Sequence, residues 1–257
     1  MLKYSIFINT FLMGICDKNS DNKYSGKAEN QITSRNMNQI QRSTLDFLTD
    51  LGRNNGREWF AKNRKRYEEA RADYESFVQS VIDKIAEFDI VFKGLDVRSC
   101  TYRINRDIRF SNDKTLYKTH LGAFIVRGGK KFADRYAGYY IHIEPGNNSM
   151  VAGGAYMPPA PWLSAIREKI SEQGEEFIRI IKNKDFTGYF GEIEGEKLKT
   201  APKGYPKDHP FVELLKMKSY LVSDQIPDSE VTGPKLFDHI VGACRAMKPL
   251  NDFLSEY

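Results

Sequence analysis

The sequence predicts a single α+β domain, built on an antiparallel sheet of about four or more strands that is flanked by N-terminal and C-terminal helices. Three observations support this fold class. Apolar residues recur at helical spacing in the first third of the chain and again after the middle. Between these regions, apolar and polar residues alternate in short runs, which is typical of strands. The connections between the runs are too short for the helical crossovers of parallel neighbours, so antiparallel pairing is expected.

Two helical regions open the predicted domain. Leu45, Leu48 and Leu51 recur every three residues, and Asn54-Asn55-Gly56 then supplies a helix stop. The run over residues 57–88 carries a second apolar stripe, which predicts one long helix or two consecutive helices.

Four segments then show the two-residue period of strands. They are residues 100–104, 121–125, 139–143 and 149–156. The last two are joined by Pro145-Gly146-Asn147-Asn148, which is turn chemistry, so we expect them to form a hairpin.

Helical spacing returns after the strands, beginning at Pro161. A stretch rich in glycine and proline follows over residues 188–206. The pattern then predicts a short helix at 211–216 and a C-terminal helix that begins near Pro234.

The first 36 residues differ in composition from the rest. Residues 17–36 are rich in Asn, Lys and Ser and have no helical or strand period, which is typical of disorder. We therefore expect residues 1–36 to be a disordered or non-native extension, with Met37 as the biological start. Residues 37–257 are then expected to form the domain.

Positive charge is concentrated in one part of the chain. The 257 residues carry a formal net charge of +5, whereas residues 97–131 alone carry nine basic and two acidic side chains. A basic segment in an otherwise slightly acidic chain predicts a focused site for an anionic partner.

Cysteine content and hydropathy indicate the cellular compartment in which the protein is expected. The three cysteines, Cys16, Cys100 and Cys244, are too scattered for a disulfide framework and form no C-x-x-C motif. No apolar run approaches the roughly 20 residues needed to cross a bilayer. We therefore expect a cytoplasmic protein with no membrane partner.

The most distinctive motif, Arg103-Ile-Asn-Arg-Asp-Ile-Arg-Phe-Ser-Asn-Asp-Lys-Thr-Leu-Tyr-Lys118, lies inside the basic segment. Other motifs are Asn54-Asn55-Gly-Arg-Glu-Trp-Phe60, Gly138-Tyr-Tyr-Ile-His-Ile-Glu144, Gly153-Gly154, Pro202-Lys-Gly-Tyr205 and Pro249-Leu-Asn-Asp-Phe-Leu254. Together they resemble a widespread bacterial family of conserved proteins of unknown function, over residues 40–254. The family usually has proline where this chain has Leu116. The resemblance implies no substrate, cofactor or catalytic residue.

Two interpretations of this Arg-rich segment are open. Guanidinium forks bind phosphate and carboxylate groups in a bidentate manner. The candidate anion ligands are Arg103, Arg109, Lys114 and Lys118. Alternatively, the segment is held in place by internal ion pairs. The candidates for that structural role are Arg106, Asp107 and Asp113, because Arg106 falls on an apolar face where it needs a carboxylate partner.

A second candidate group lies on the predicted strand 139–143. Tyr140, His142 and Glu144 share one face, so His142 and Glu144 are weak candidates for proton transfer or metal ligation. Two candidate ligands do not define a metal centre, and nothing in the sequence shows that His120 meets them. We therefore predict no metal site, assign no cofactor, and interpret the pair as a hydrogen-bonded strand face.

Three functions are compatible with these residues. The preferred hypothesis is a domain that binds a phosphate-bearing or other anionic small molecule, with or without catalysis. Nucleic-acid binding ranks lower, because the acidic remainder of the chain would repel a long polyanion. The third function is a non-catalytic protein-interaction or scaffold role. The sequence predicts neither a reaction nor an oligomeric state.

Overall fold

A four-stranded antiparallel sheet lies at the centre of the computed structural model, which describes residues 39–109 and 112–255. The strands are neighbours in the order in which they occur in the chain. They are β1 (Leu121–Ile125), β2 (Gly138–Ile143), β3 (Ser149–Ala155) and β4 (Tyr220–Ile226). The predicted α+β class with an antiparallel sheet is confirmed. The extension expected at residues 1–36 lies outside the described residues.

Helices precede and follow the sheet in the chain. Before β1 come α1 (Arg42–Arg53), α2 (Arg57–Lys62) and α3 (Arg64–Ile85). Between β3 and β4 lie α4 (Ala160–Ile181), α5 (Lys184–Thr187) and α6 (Val212–Leu215). After β4 come α7 (Asp228–Val231) and α8 (Leu236–Ser255). No helix within the described residues has the length and apolar character to span a bilayer.

The β2–β3 hairpin forms where the turn sequence predicts it. Gly146 and Asn147 have positive φ angles of 85° and 61°, which glycine adopts without strain and asparagine tolerates. Their backbone N–H groups donate to the Asp228 carboxylate at 2.9 and 3.0 Å. The first residue of α7 therefore stabilises this turn through hydrogen bonds.

The fourth strand is not the one expected at residues 100–104. That segment forms only an isolated bridge at Thr101, and a second isolated bridge follows at Asn105. The Tyr102 N–H still donates to the Gly122 carbonyl at 3.0 Å, but the chain then folds back on itself instead of continuing along the edge of β1. The sheet is extended instead by β4, which pairs with the whole of β3 and which the sequence analysis did not identify.

The main hydrophobic core lies between one face of the sheet and the long helices. It buries Ile141 and Val151 from the sheet, Phe77 from α3, Ile170 from α4 and Met247 from α8. Removing this apolar surface from water is the dominant favourable contribution to folding.

The opposite face of the sheet carries a smaller apolar cluster. Phe124, Tyr140, Met150 and Leu221 are buried there, because alternate residues of a strand point to opposite faces. His142 follows Tyr140 by two residues on β2 and shares this face. The candidate residues on β2 therefore lie away from the main helical core.

Close packing of α8 on β3 requires glycine at position 153. A Cβ atom there would lie 2.2 Å from the Met247 sulfur and 2.3 Å from the Gly138 carbonyl oxygen. We expect Gly153→Ala to lower the free energy of unfolding by about 1–3 kcal/mol, the usual cost of overpacking a core, as measured by urea denaturation. Gly191→Ala is the control, since no described atom lies within 4 Å of its added Cβ. Equal losses in the two variants would contradict this account.

His239 of α8 bridges two carboxylates from other elements. Its Nε2 lies 2.7 Å from Asp224 Oδ2 on β4, and its Nδ1 lies 2.6 Å from Glu230 Oε1 on α7. The hydrogen bond with Asp224 raises the pKa of His239 above its ordinary value of 6.5. Burial opposes this increase and Glu230 adds to it.

We expect this bridge to stabilise the protein most at mildly acidic pH. Because the pKa is higher in the folded than in the unfolded state, the contribution is complete below about pH 6.5 and is lost as the pH rises through the folded-state pKa. The difference in free energy of unfolding between wild type and His239→Gln, measured by urea denaturation, should therefore shrink as the pH increases. A difference that stays constant or grows would refute the bridge.

Candidate functional site

A polar cleft of about 300 Å³ opens beside the end of β2. Its walls come from α1 and the turn after it, from the Arg-rich segment, and from the residues that lead into β1. The lining includes Arg106, Asp113, Lys118, Thr119, His120 and Glu144.

The Arg-rich segment reaches the polar cleft by folding back on itself. The N–H of Arg106 donates to the Leu116 carbonyl at 3.0 Å, and the N–H of Lys118 donates to the Ile104 carbonyl at 2.8 Å. This antiparallel pairing brings Arg106 and Lys118 into the wall of the same cleft.

The turn after α1 anchors the returning half of this segment. Asn55 Oδ1 accepts hydrogen bonds from the N–H groups of Leu116 and Tyr117, and Asn55 Nδ2 donates to the Tyr117 carbonyl, all at 2.9 Å. The Tyr117 ring also stacks on Phe60 of α2, with ring centroids 4.1 Å apart. Asn55, which the sequence pattern indicated as part of a helix stop, therefore positions one wall of the cleft.

Arg106 is a buried cation with a carboxylate partner. Its side chain is 5% exposed, and its Nη1 lies 2.5 Å from Asp113 Oδ2. The same guanidinium donates to the Thr115 hydroxyl. Hydrogen bonds from the backbone and hydroxyl of Thr115, and then from Arg106, lower the pKa of Asp113, so this carboxylate is ionised at neutral pH.

The four cations proposed from the sequence as anion ligands do not line the polar cleft together. Lys118 is 4% exposed and lines it. The other three, Arg103, Arg109 and Lys114, are exposed and lie outside its lining. Arg109 forms a bidentate ion pair with its neighbour Asp107, which lowers the pKa of Asp107 to about 2. Of the four, the structure therefore brings only Lys118 into the cleft lining, where it lies with Arg106.

His142 on β2 is fully buried between two hydrogen-bonding partners. Its Nδ1 lies 3.2 Å from the Tyr140 hydroxyl, and its Nε2 lies 3.0 Å from Glu144 Oε2. The other carboxylate oxygen, Glu144 Oε1, accepts a 2.6 Å hydrogen bond from the Thr119 hydroxyl. Burial acts to raise the pKa of Glu144, but the interactions with His142 and Thr119 outweigh it and lower the pKa below its ordinary value.

Gly122 leaves room for this arrangement. It is the β1 residue directly opposite His142 in the register of β1 and β2. A Cβ atom at Gly122 would lie 2.7 Å from the Tyr140 hydroxyl oxygen. Any side chain at this position would therefore displace the phenol from the His142 ring.

His120 is a third polar group at the same place. It is 7% exposed, lines the polar cleft, and has its ring centroid 4.3 Å from that of His142. Its ring forms no hydrogen bond with the described part of the chain. Burial, followed by the nearby charges of His142, Lys118 and Arg106, holds the pKa of His120 well below 6.5.

The sequence grouped Tyr140, His142 and Glu144 but left His120 apart. Leu121 pairs with Ile143, which brings the preceding His120 next to the end of β2. Alternation alone does not reveal such a register, and the sequence analysis did not predict that strands 121–125 and 139–143 pair. The prediction of no metal site considered two ligands, whereas the structure brings together three.

Comparison with known proteins identifies the family of the chain. The model of a family of conserved hypothetical proteins, DUF2461, matches residues 43–253. No curated protein and no solved structure matches. The expected membership of a conserved family of unknown function is confirmed: the chain belongs to the DUF2461 family of conserved hypothetical proteins.

Proposed function

We propose that the polar cleft binds an anionic small molecule that carries a phosphate or carboxylate group, and that Lys118 and Arg106 hold this anion. The observation that carries the proposal is the burial of two cationic side chains, 4% and 5% exposed, in the wall of one cleft. Attraction between charges is much stronger in such a partly buried site than at a solvated surface.

The two cations have complementary surroundings. Arg106 is paired with Asp113 and is therefore fixed in position. The Lys118 ammonium lies 5.5 Å from the centre of the Tyr102 ring, in a cation–π contact. A fixed guanidinium and a buried ammonium in one wall suit a compact anion, because both can donate hydrogen bonds to its oxygens.

The size of the cleft favours a small molecule over a polymer. Its volume, about 300 Å³, is at the lower end of the range for small-molecule pockets. Two exposed arginines of the basic segment, Arg98 and Arg109, are each paired with a nearby aspartate. These pairs reduce the positive field that a long polyanion would meet.

A purely structural role explains part of the Arg-rich segment. It accounts for the pairing of Arg106 with Asp113 and of Arg109 with Asp107. The proposal adds a reason why Lys118, His120 and Glu144 line the same cleft. We therefore place His120 and Glu144, more than the fully buried His142, as the groups that face a bound molecule and could exchange protons with it.

The proposal predicts that anion binding depends on Lys118. We expect protein that has been treated with a chelator to bind inorganic phosphate or a phosphomonoester in isothermal titration calorimetry. We expect Lys118→Met to weaken that binding at least about tenfold, since a hydrogen bond to a charged group contributes roughly 1.5–3 kcal/mol. Lys118→Arg, which keeps the positive charge, should lose less of the affinity for the anion.

Lys114→Met is the matched control, because Lys114 belongs to the same segment but lies outside the cleft lining. It should bind the anion as wild type does, and circular dichroism should show that both variants are folded. Equal weakening in Lys114→Met and Lys118→Met would refute the assignment to this cleft. A salt-dependent mobility shift of an oligonucleotide, without phosphate binding, would favour the nucleic-acid alternative.

A further inference from the structure

We infer that His120, His142 and Glu144 form a binding site for a divalent transition-metal ion such as Zn²⁺, with an open coordination position towards the polar cleft. Each side chain offers one ligand atom, and these atoms all lie within 4.8 Å of one another. This inference goes beyond the proposed function, because a metal ion can bind here whether or not an anion does.

The separations are compatible with coordination after small side-chain rotations. Zn²⁺ binds histidine nitrogen and carboxylate oxygen at about 2.0–2.2 Å in tetrahedral geometry, which places neighbouring ligand atoms about 3.3 Å apart. His142 Nε2 and Glu144 Oε2 are already 3.0 Å apart. The His120 ring can close the wider gaps, because no hydrogen bond to the described chain holds it in place.

The groups behind the ligands are arranged as in metal centres. The Tyr140 hydroxyl contacts Nδ1 of His142, and the Thr119 hydroxyl donates to Oε1 of Glu144. These contacts occupy the far side of each ligand and leave His142 Nε2 and Glu144 Oε2 facing each other. Outer hydrogen bonds of this kind orient metal-binding histidines and carboxylates.

The state of His120 is an independent observation that points to a ligand. More than nine-tenths of this residue is buried, and its ring has no hydrogen-bonding partner in residues 39–109 and 112–255. Its ring nitrogens are not among the fully buried side-chain atoms that lack a partner, so they are accessible from the polar cleft that His120 lines. A metal ion that enters the cleft can therefore bind a ring nitrogen of His120 without displacing a hydrogen bond within the described residues.

The ligand types indicate which ions should bind. Two imidazoles and one carboxylate favour ions such as Zn²⁺, Co²⁺ or Fe²⁺, whereas Mg²⁺ and Ca²⁺ prefer oxygen ligands. Three protein ligands leave a tetrahedral ion one further position, as in catalytic zinc sites. In this cleft that position would be filled by water or by an oxygen of the anion held by Lys118.

The test uses the full-length protein after removal of metal with a chelator and dialysis. Co²⁺ is titrated and followed by its visible absorption, and Zn²⁺ is titrated by calorimetry. We expect one equivalent of each to bind, with the absorption spectrum of tetrahedral Co²⁺ and no comparable binding of Mg²⁺. His120→Asn should weaken binding at least about tenfold. Glu144→Gln, a second variant of similar shape, should do the same.

His239→Gln is the matched control. His239 also contacts two carboxylates, Asp224 and Glu230, and it does not line the polar cleft. The His239→Gln variant should bind Co²⁺ and Zn²⁺ as wild type does. Absence of Co²⁺ and Zn²⁺ binding in wild type, or equal loss in His239→Gln and His120→Asn, would overturn the inference.

The metal and anion experiments distinguish failure of the metal site from failure of the proposed function. Phosphate binding that depends on Lys118, without metal binding, would overturn the metal site alone. Metal binding that depends on His120, without phosphate binding, would support the metal site and refute the proposed function.

Discussion

The pairing of β1 with β2 is the constraint on which the candidate site depends. It sets Gly122 opposite His142 and brings His120 to the end of β2. A shift of this register by one residue would move each side chain of a strand to the other face of the sheet. If β2 were the strand that turned over, His142 and Glu144 would both leave the face that carries the polar cleft and His120. The backbone hydrogen bonds of two short strands therefore define the relative positions of the candidate groups.

The second face of the sheet gives these groups a sheltered environment. Tyr140 and His142 are buried there, beneath aromatic and aliphatic neighbours such as Phe124 and Met150. Burial of polar groups is costly unless hydrogen bonds compensate for it. Hydrogen bonds that run from Tyr140 through His142 and Glu144 to Thr119 supply this compensation. His120 lies beside this network but is not part of it.

The Arg-rich segment illustrates how position changes the role of a charge. Arg109 is largely exposed and forms an ion pair with its neighbour Asp107, and such exposed pairs contribute little to stability. Arg106 is buried and held by Asp113, so loss of Asp113 would leave a buried guanidinium without its carboxylate partner, which is costly. Because Asn55 anchors the returning half of the segment, the turn after α1 helps to position the cations of the cleft that it also lines.

The sequence by itself determined the class of the fold, three of the four strands, the β2–β3 turn and the local grouping of His142 with Glu144. These features follow from short-range periodicity, from turn residues and from alternation along one strand, all of which are local properties. β4 and the joining of His120 to His142 were decided by tertiary structure, because strand register and pairing across long stretches of chain depend on how faces pack. The same holds for the cations: alternation placed Arg106 on an inward face, but the folding back of the segment decided that Lys118, and not Arg103 or Arg109, would share its cleft.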